Sequence, residues 1–532
     1  MKKYFLYLII SVFLGSCARV GTPGGGDKDT IPPRFLKANM DTSRVNVSRR
    51  LGELRLYFDE YIRLRDVSKN LVISPPIKKI KKILPSNLAN KYILIQWDED
   101  LQENTTYSFN FGNAIVDNNE GNVLPYFNFA FSTGDKIDNM YIKGSVKDAM
   151  LPPNKNSKNG IVVGLYPNGA DLKQKPHYIT KADEKGGFEL NYLSEGKYTL
   201  IAFQDDNQNS IYEAGKEKVG FLKDTVNLEQ SVEDLSLKIY PSRKKIKYIE
   251  SRAMAGGMLM RFEGNSKKIE VLPIGDELKN YKVSHRAYSD SVKIWIGKEG
   301  NQLKAESATQ IQLSYNADGE KDSIHAFFKP NEKEELLITN SKGRLLPPNK
   351  EFVVSANMEL QNILSEQWEL KSDSIAQKFE AKISEKNPEE IHISSDFKAG
   401  KTYVLSIPKE SVSSFYHKNE KEYIFTFEAD KPENYGSVVL KLKNAPKSHF
   451  WVHLMNAEGR TQYSLYTNQS EIRFTEVLPA TYYARILVDS NDNQHWDNAD
   501  FEERQLSEPA FVFPKELAVK KLWEIVEDWE LE

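Results

Sequence analysis

The chain has 532 residues, of which 40% are hydrophobic and 11% aromatic, enough apolar material to fill several cores. Lys plus Arg (72) nearly balances Asp plus Glu (75), and a net charge of −3 excludes the strong positive field on which nucleic-acid binding relies. A single cysteine excludes both a disulfide framework and a thiolate metal site, so apolar burial must supply the stability.

The chain opens with Met1-Lys2-Lys3, a short apolar run from Tyr4 to Leu14, and then Gly15-Ser16-Cys17. A positive start, an apolar stretch shorter than the roughly 20 residues of a membrane helix, and small residues before a cleavage point make residues 1–16 a signal peptide. Cys17 follows directly, and the pattern resembles the bacterial lipoprotein box, which implies thioether lipidation of Cys17 and attachment to a membrane. Residues 17–29 carry Gly24-Gly25-Gly26 and nothing to bury, so they read as a flexible tether. The residue directly after Cys17 is Ala18 and not an acid, which points to the outer membrane of the cell envelope.

Beyond the tether, period-two alternation dominates. Leu54, Leu56 and Phe58 alternate with Arg55 and Tyr57, and Phe127, Phe129 and Phe131 with Asn128 and Ala130. Such patterns are strands with one buried face. Turn clusters such as Asp117-Asn118-Asn119-Glu120-Gly121 and Asp183-Glu184-Lys185-Gly186-Gly187 separate them. The class expected is all-β, as tandem β-sandwiches. Punctuation divides the body at 30–135, 138–241, 246–342 (a less regular β region), 343–430 and 434–532. Near the end, Leu522, Ile525, Val526 and Trp529 fall at helical spacing, the clearest such case in the chain.

The units repeat as a pair. Thr105-Thr106-Tyr107 before Phe127-Asn128-Phe129 is echoed by Lys401-Thr402-Tyr403 before Tyr423-Ile424-Phe425. More closely, Asp205-x-Asn207-x-Asn209-x-x-x-Glu213 recurs as Asp489-x-Asn491-x-Asn493-x-x-x-Asp497 at a constant offset, which argues for duplication. Both segments place side-chain oxygens at alternate positions, as calcium requires. Yet Ser210 and Gln494 stand where an EF-hand has its turn glycine, and Asp and Asn are equally the residues of metal-free turns. A calcium site and a structural turn are both open on this spacing.

With the lipobox, the segments Phe58-Asp59-Glu60-Tyr61, Ile73-Ser74-Pro75-Pro76 and Phe111-Gly112-Asn113-Ala114-Ile115-Val116-Asp117 resemble Gram-negative lipoproteins that carry a bacterial Ig-like domain of the S-layer-protein type. The resemblance implies an Ig-like sandwich over 30–135. Gly187-Phe188-Glu189-Leu190 followed by Gly196-Lys197-Tyr198 is similar to transthyretin-like, carboxypeptidase-regulatory sandwiches, implying one over 138–241 and a second over 434–532. The family brings no established catalytic residues.

Catalytic motifs are lacking. The eight histidines form no HExxH, and there is no GxSxG elbow, Walker loop or dinucleotide fingerprint. The function expected is a non-catalytic envelope lipoprotein, an extended rod held to a membrane by its lipid and binding a protein or glycan partner. The competing expectation is a glycan hydrolase with converging carboxylates in the region 246–342.

Overall fold

The computed structural model describes residues 28–531 apart from 153–159, 298, 305, 332–333 and 416. The signal peptide, Cys17 and the tether up to residue 27 lie outside the described residues. The described chain is almost wholly β, as its alternation predicts, with one four-residue α-helix at Val67–Asn70. Among the described residues no helix is long and apolar enough to cross a membrane.

Five successive bodies each close sheets over an apolar core, two sheets in all but the fourth, which adds the two-stranded pair Leu360–Ile363 and Val412–Ser414. In the first, strands Phe35–Ala38, Glu53–Leu64, Asn90–Trp97 and Ile80–Leu84 face a sheet of Val72–Ser74, Thr106–Asn110 and Asn128–Ser132. The alternating Leu54, Leu56 and Phe58 point inward onto Phe109, Phe129 and Phe131. In the second, a sheet ordered Tyr178–Lys181, Ile161–Pro167, Gly196–Gln204, Val219–Phe221 packs on Gly187–Leu193, Met140–Asp148 and Val232–Ile239. Met140–Asp148 runs parallel to Val232–Ile239, and a Cβ at Gly144 would lie 2.1 Å from the Leu235 carbonyl oxygen, so only glycine permits this approach.

The stretch 246–342 is more regular than its sequence suggests. Lys247–Met254, Gly257–Ser266, Ser289–Ile296 and Tyr281–His285 form one sheet, and Ile269–Ile274, Thr309–Ala317 and Glu320–Phe328 the other, around Met260, Phe262, Ile294 and Leu313. Trp295 turns the other way, into the core of the fourth body with Met358 and Trp368, and so ties the two together.

The duplication is visible in topology. The fourth body orders Ile338–Thr339, Phe352–Ala356, Glu390–Ser394 and Glu380–Ile383 as the first orders its larger sheet. The last body repeats the second strand for strand. Thr461–Thr467, Phe450–Met455, Thr481–Val488 and Ala510–Val512 form one sheet. Glu471–Val477, Gly436–Lys443 and Glu524–Glu530 form the other, again with one parallel pair.

That parallel pair corrects the helical expectation at the C-terminus. Glu524–Glu530 is a strand in register with Gly436–Lys443 along its whole length. Ile525, Glu527 and Trp529 share the inward side, and Trp529 packs edge-on to Phe513 at 5.3 Å. A short apolar set compatible with either period takes the one its partner strand demands. Trp529→Ala should therefore lower the last body's stability by about 3–5 kcal/mol, as for other large-to-small core changes. Calorimetry would show this as an earlier unfolding transition, and an unmoved transition would put Trp529 outside the core.

Candidate functional site: the paired Asp-Asn loops

The two Asp-Asn segments fold identically, each in the long connection after a central strand. In the first, Asp205 is buried and its carboxylate accepts the backbone N–H groups of Asn209 (3.0 Å) and Ser210 (3.1 Å). Asn207 Oδ1 accepts the same Asn209 N–H at 3.0 Å, and Asn209 Oδ1 accepts that of Ile211 at 2.6 Å. In the second, Asp489 accepts from Asn493 (3.0 Å) and Gln494 (2.8 Å), Asn491 Oδ1 accepts from Asn493 (3.1 Å), and Asn493 Oδ1 accepts from His495 (2.7 Å). Ser210 and Gln494 take left-handed φ of 60° and 62°. The sharp turn that an EF-hand gives to glycine is thus made here by other residues, held in place by the buried aspartate below.

Two glutamates that sequence spacing did not single out complete the pattern. Glu217 accepts the N–H groups of Asp206 (3.1 Å) and Glu213 (2.9 Å), and Glu508 those of Ser490 (2.6 Å) and Asp497 (2.9 Å). Each stands just before the strand that ends its loop, at Val219 and at Ala510. Burial raises both carboxyl groups above the ordinary glutamate range, with neighbouring acids adding to the shift. The intervening length differs between the copies, which hid this correspondence.

The geometry is that of loops closed on their own backbone. The amide nitrogens of Asn491 and Asn493 donate to Asp497 Oδ2, at 2.8 and 3.3 Å, and Glu213 pairs with Lys216 at 3.3 Å. Among the described residues no three His, Cys, Asp or Glu side chains are grouped to hold a metal ion. A calcium ion at Asp205, Asn207, Asn209 and Glu213, or at Asp489, Asn491, Asn493 and Asp497, would have to share oxygens already accepting hydrogen bonds.

What the structure adds is where these loops sit: they meet each other. Phe501, on the longer second loop, packs edge-on to Tyr212 at 5.7 Å and to Phe221 at 5.2 Å. The buried cluster around them unites Val162, Ile201 and Phe203 of the second body with Ala499 and Phe501 of the last. Ala499 pairs in parallel with Ser242, with the Arg243 N–H on the Ala499 oxygen at 2.7 Å. Arg504 donates to Thr199 Oγ1 at 2.7 Å. The third body joins through Tyr288, whose ring stacks flat on His495 at 3.9 Å. The chain therefore folds back on itself, and the expectation of an extended rod is corrected. The basic connector Ser242-Arg243-Lys244-Lys245 is half of this seam, with Lys245 paired to Glu502.

Residues 29–133 match the family described as the bacterial Ig-like domain, which covers the first body. Comparison with curated proteins finds no match. Among solved structures, the Bacillus anthracis TIE protein is 11% identical, with 96% of this chain and 76% of that chain covered and a TM-score of 0.13. The S-layer protein rSbsC(31-844) is 11% identical over 91% of this chain and 67% of that chain, at a TM-score of 0.15. SGBP-B of a Bacteroides ovatus mixed-linkage glucan utilization locus, solved in complex with a mixed-linkage heptasaccharide, is 12% identical over 74% of this chain and 96% of that chain, at a TM-score of 0.20. Likenesses this remote assign no role to any residue.

Two outcomes follow from the loops. Phe501→Ala should loosen the seam without unfolding either sandwich, because Phe501 lies outside both main cores; small-angle scattering should show a larger radius of gyration, and an unchanged profile would mean that other contacts hold the halves. Thermal unfolding in calcium chloride and in chelator should superimpose if the loops close on their own N–H groups. An upward shift with calcium that Asp205→Asn and Asp489→Asn abolish would make them calcium sites instead.

Proposed function

We propose that this chain is a non-catalytic lipoprotein of the cell envelope, anchored through Cys17 at the outer membrane, whose docked β-sandwiches form a rigid platform for a protein or glycan partner. The sequence Leu14-Gly15-Ser16-Cys17 carries the proposal, because it supplies the one reactive centre with a defined chemistry. The match of residues 29–133 to a bacterial Ig-like domain supports it. The second and last bodies, with their shared strand order and one parallel pair each, are read as transthyretin-like sandwiches.

The hydrolase alternative draws no support from the region 246–342. The acids beside it are committed to ion pairs: Glu359 holds Lys282 and Ser284, and Glu389 holds Lys293. Such pairs join the third body to the fourth.

Lipidation is tested in the cell. The native chain should take up labelled palmitate and fractionate with outer membranes, carrying any partner with it, whereas Cys17→Ala should be unlabelled and lose the copurifying partner. Equal labelling and equal fractionation of the two would remove the anchor from the proposal.

A further inference from the structure

Between the first and second bodies lies a cleft of about 870 Å³, within the range of ligand-binding pockets. One wall is the sheet carrying Asn110 and Asn128, the other the sheet carrying Lys143, Glu189 and Asn191. Hydrogen bonds across the seam hold the walls at a fixed spacing. Ser74 Oγ donates to the His177 carbonyl oxygen at 3.1 Å and accepts the Ile179 N–H at 3.2 Å, and Lys181 Nζ donates to the Lys69 carbonyl oxygen at 2.5 Å.

Two features of the lining point to a ligand. Asn128 lines the cleft as a half-buried side chain whose Oδ1 accepts no hydrogen bond among the described residues, so its amide is not committed to the protein's own backbone. Tyr126 is 79% exposed at the mouth, on a backbone held at φ 53°, a conformation unusual for an aromatic residue. A ring kept in water at a strained position contributes nothing to the core and presents a flat apolar face.

The remaining polar groups narrow the ligand class. Asn110 commits its oxygen to the Gly112 N–H at 2.9 Å and keeps its amide N–H groups, and the Asn191 side chain makes no hydrogen bond among the described residues. Amides both donate and accept, which suits vicinal hydroxyls that do the same. Asp183, Glu189, Glu233 and Asp234 outnumber Lys143 and Lys181 around the cleft, which disfavours anionic polymers. Three of these acids are occupied: Asp183 caps its own turn through Lys185 and Gly187, Glu189 pairs with Lys143 and Glu233 accepts from Tyr141.

We infer that this cleft binds an uncharged oligosaccharide, with a sugar ring stacked on Tyr126 and its hydroxyls on the asparagine amides. The inference deepens the binding role proposed above, and its test is independent of the lipid anchor. Isothermal titration of the soluble chain, from residue 18 onward, with maltohexaose, cellohexaose and chitohexaose should give saturable binding to at least one. Tyr126→Ala and Asn128→Ala should each weaken it about tenfold, the loss of one stacking contact or one hydrogen-bond set. Trp523→Ala, an exposed aromatic on the last body, should leave it unchanged. Circular dichroism of the variants separates lost binding from lost fold. Binding by none of the three sugars, or binding indifferent to Tyr126 and Asn128, would overturn the inference while leaving the anchored-platform proposal standing. Shortening of the bound sugar would overturn the non-catalytic reading instead.

Discussion

The packing of Phe501 against Tyr212 and Phe221 closes the fold-back of the chain. It holds the last body on the second across the two bodies that separate them in sequence. An aromatic side chain carries more than enough apolar area to contribute several kcal/mol when buried, roughly 25 cal/mol for each Å² removed from water. That alone would not fix an orientation, since apolar burial has no direction. Orientation comes from the backbone bridge at Ser242 and Ala499 and from Arg504 on Thr199, which accept only one alignment. Burial supplies the attraction and hydrogen bonding selects the register.

The seam also shows what duplication followed by divergence can do. Both loops inherit one hydrogen-bond scheme, with a buried aspartate and a buried glutamate collecting N–H groups that irregular backbone would otherwise leave unpaired. With the scheme intact in both, the second copy lengthens its connection and places Phe501 at the tip, while the first offers Tyr212 beside it. Two copies of one surface meeting with like residues would give a symmetric contact. Here one loop inserts and the other receives, so the halves cannot exchange roles.

What the sequence made legible follows from the range of the physics involved. Alternation at Leu54, Leu56 and Phe58 is local, set by one strand facing one core, and it predicted strands correctly. The Asp-Asn repeat is local too, and it revealed the duplication that topology displays. The C-terminal strand was misread because Ile525 and Trp529, four residues apart, satisfy both periods, and only the partner Gly436–Lys443 decides. Trp295 leaves its own core for the next one, and nothing in the local pattern of its strand says which core it joins. Glu217 and Glu508 were hidden by unequal loop lengths, and Phe501 by having no counterpart in the first copy. Contacts between distant segments leave no periodic trace.

A folded-back arrangement changes what the surface can do. Sandwiches strung on free linkers would move relative to one another, and a cleft between two of them would have no lasting shape. In this chain the second body is held on one side by the first, through Ser74 and Lys181, and on another by the last, through Phe501 and Arg504. The wall that carries Asn191 therefore cannot swing away from the wall that carries Asn128. Rigidity of this kind lowers the ordering cost that a weak, polar ligand must otherwise offset. A hydroxyl-rich molecule gains little from apolar burial and depends on hydrogen-bond partners already in position. The bonds of Ser74 and Lys181 across the seam are what keep those partners there.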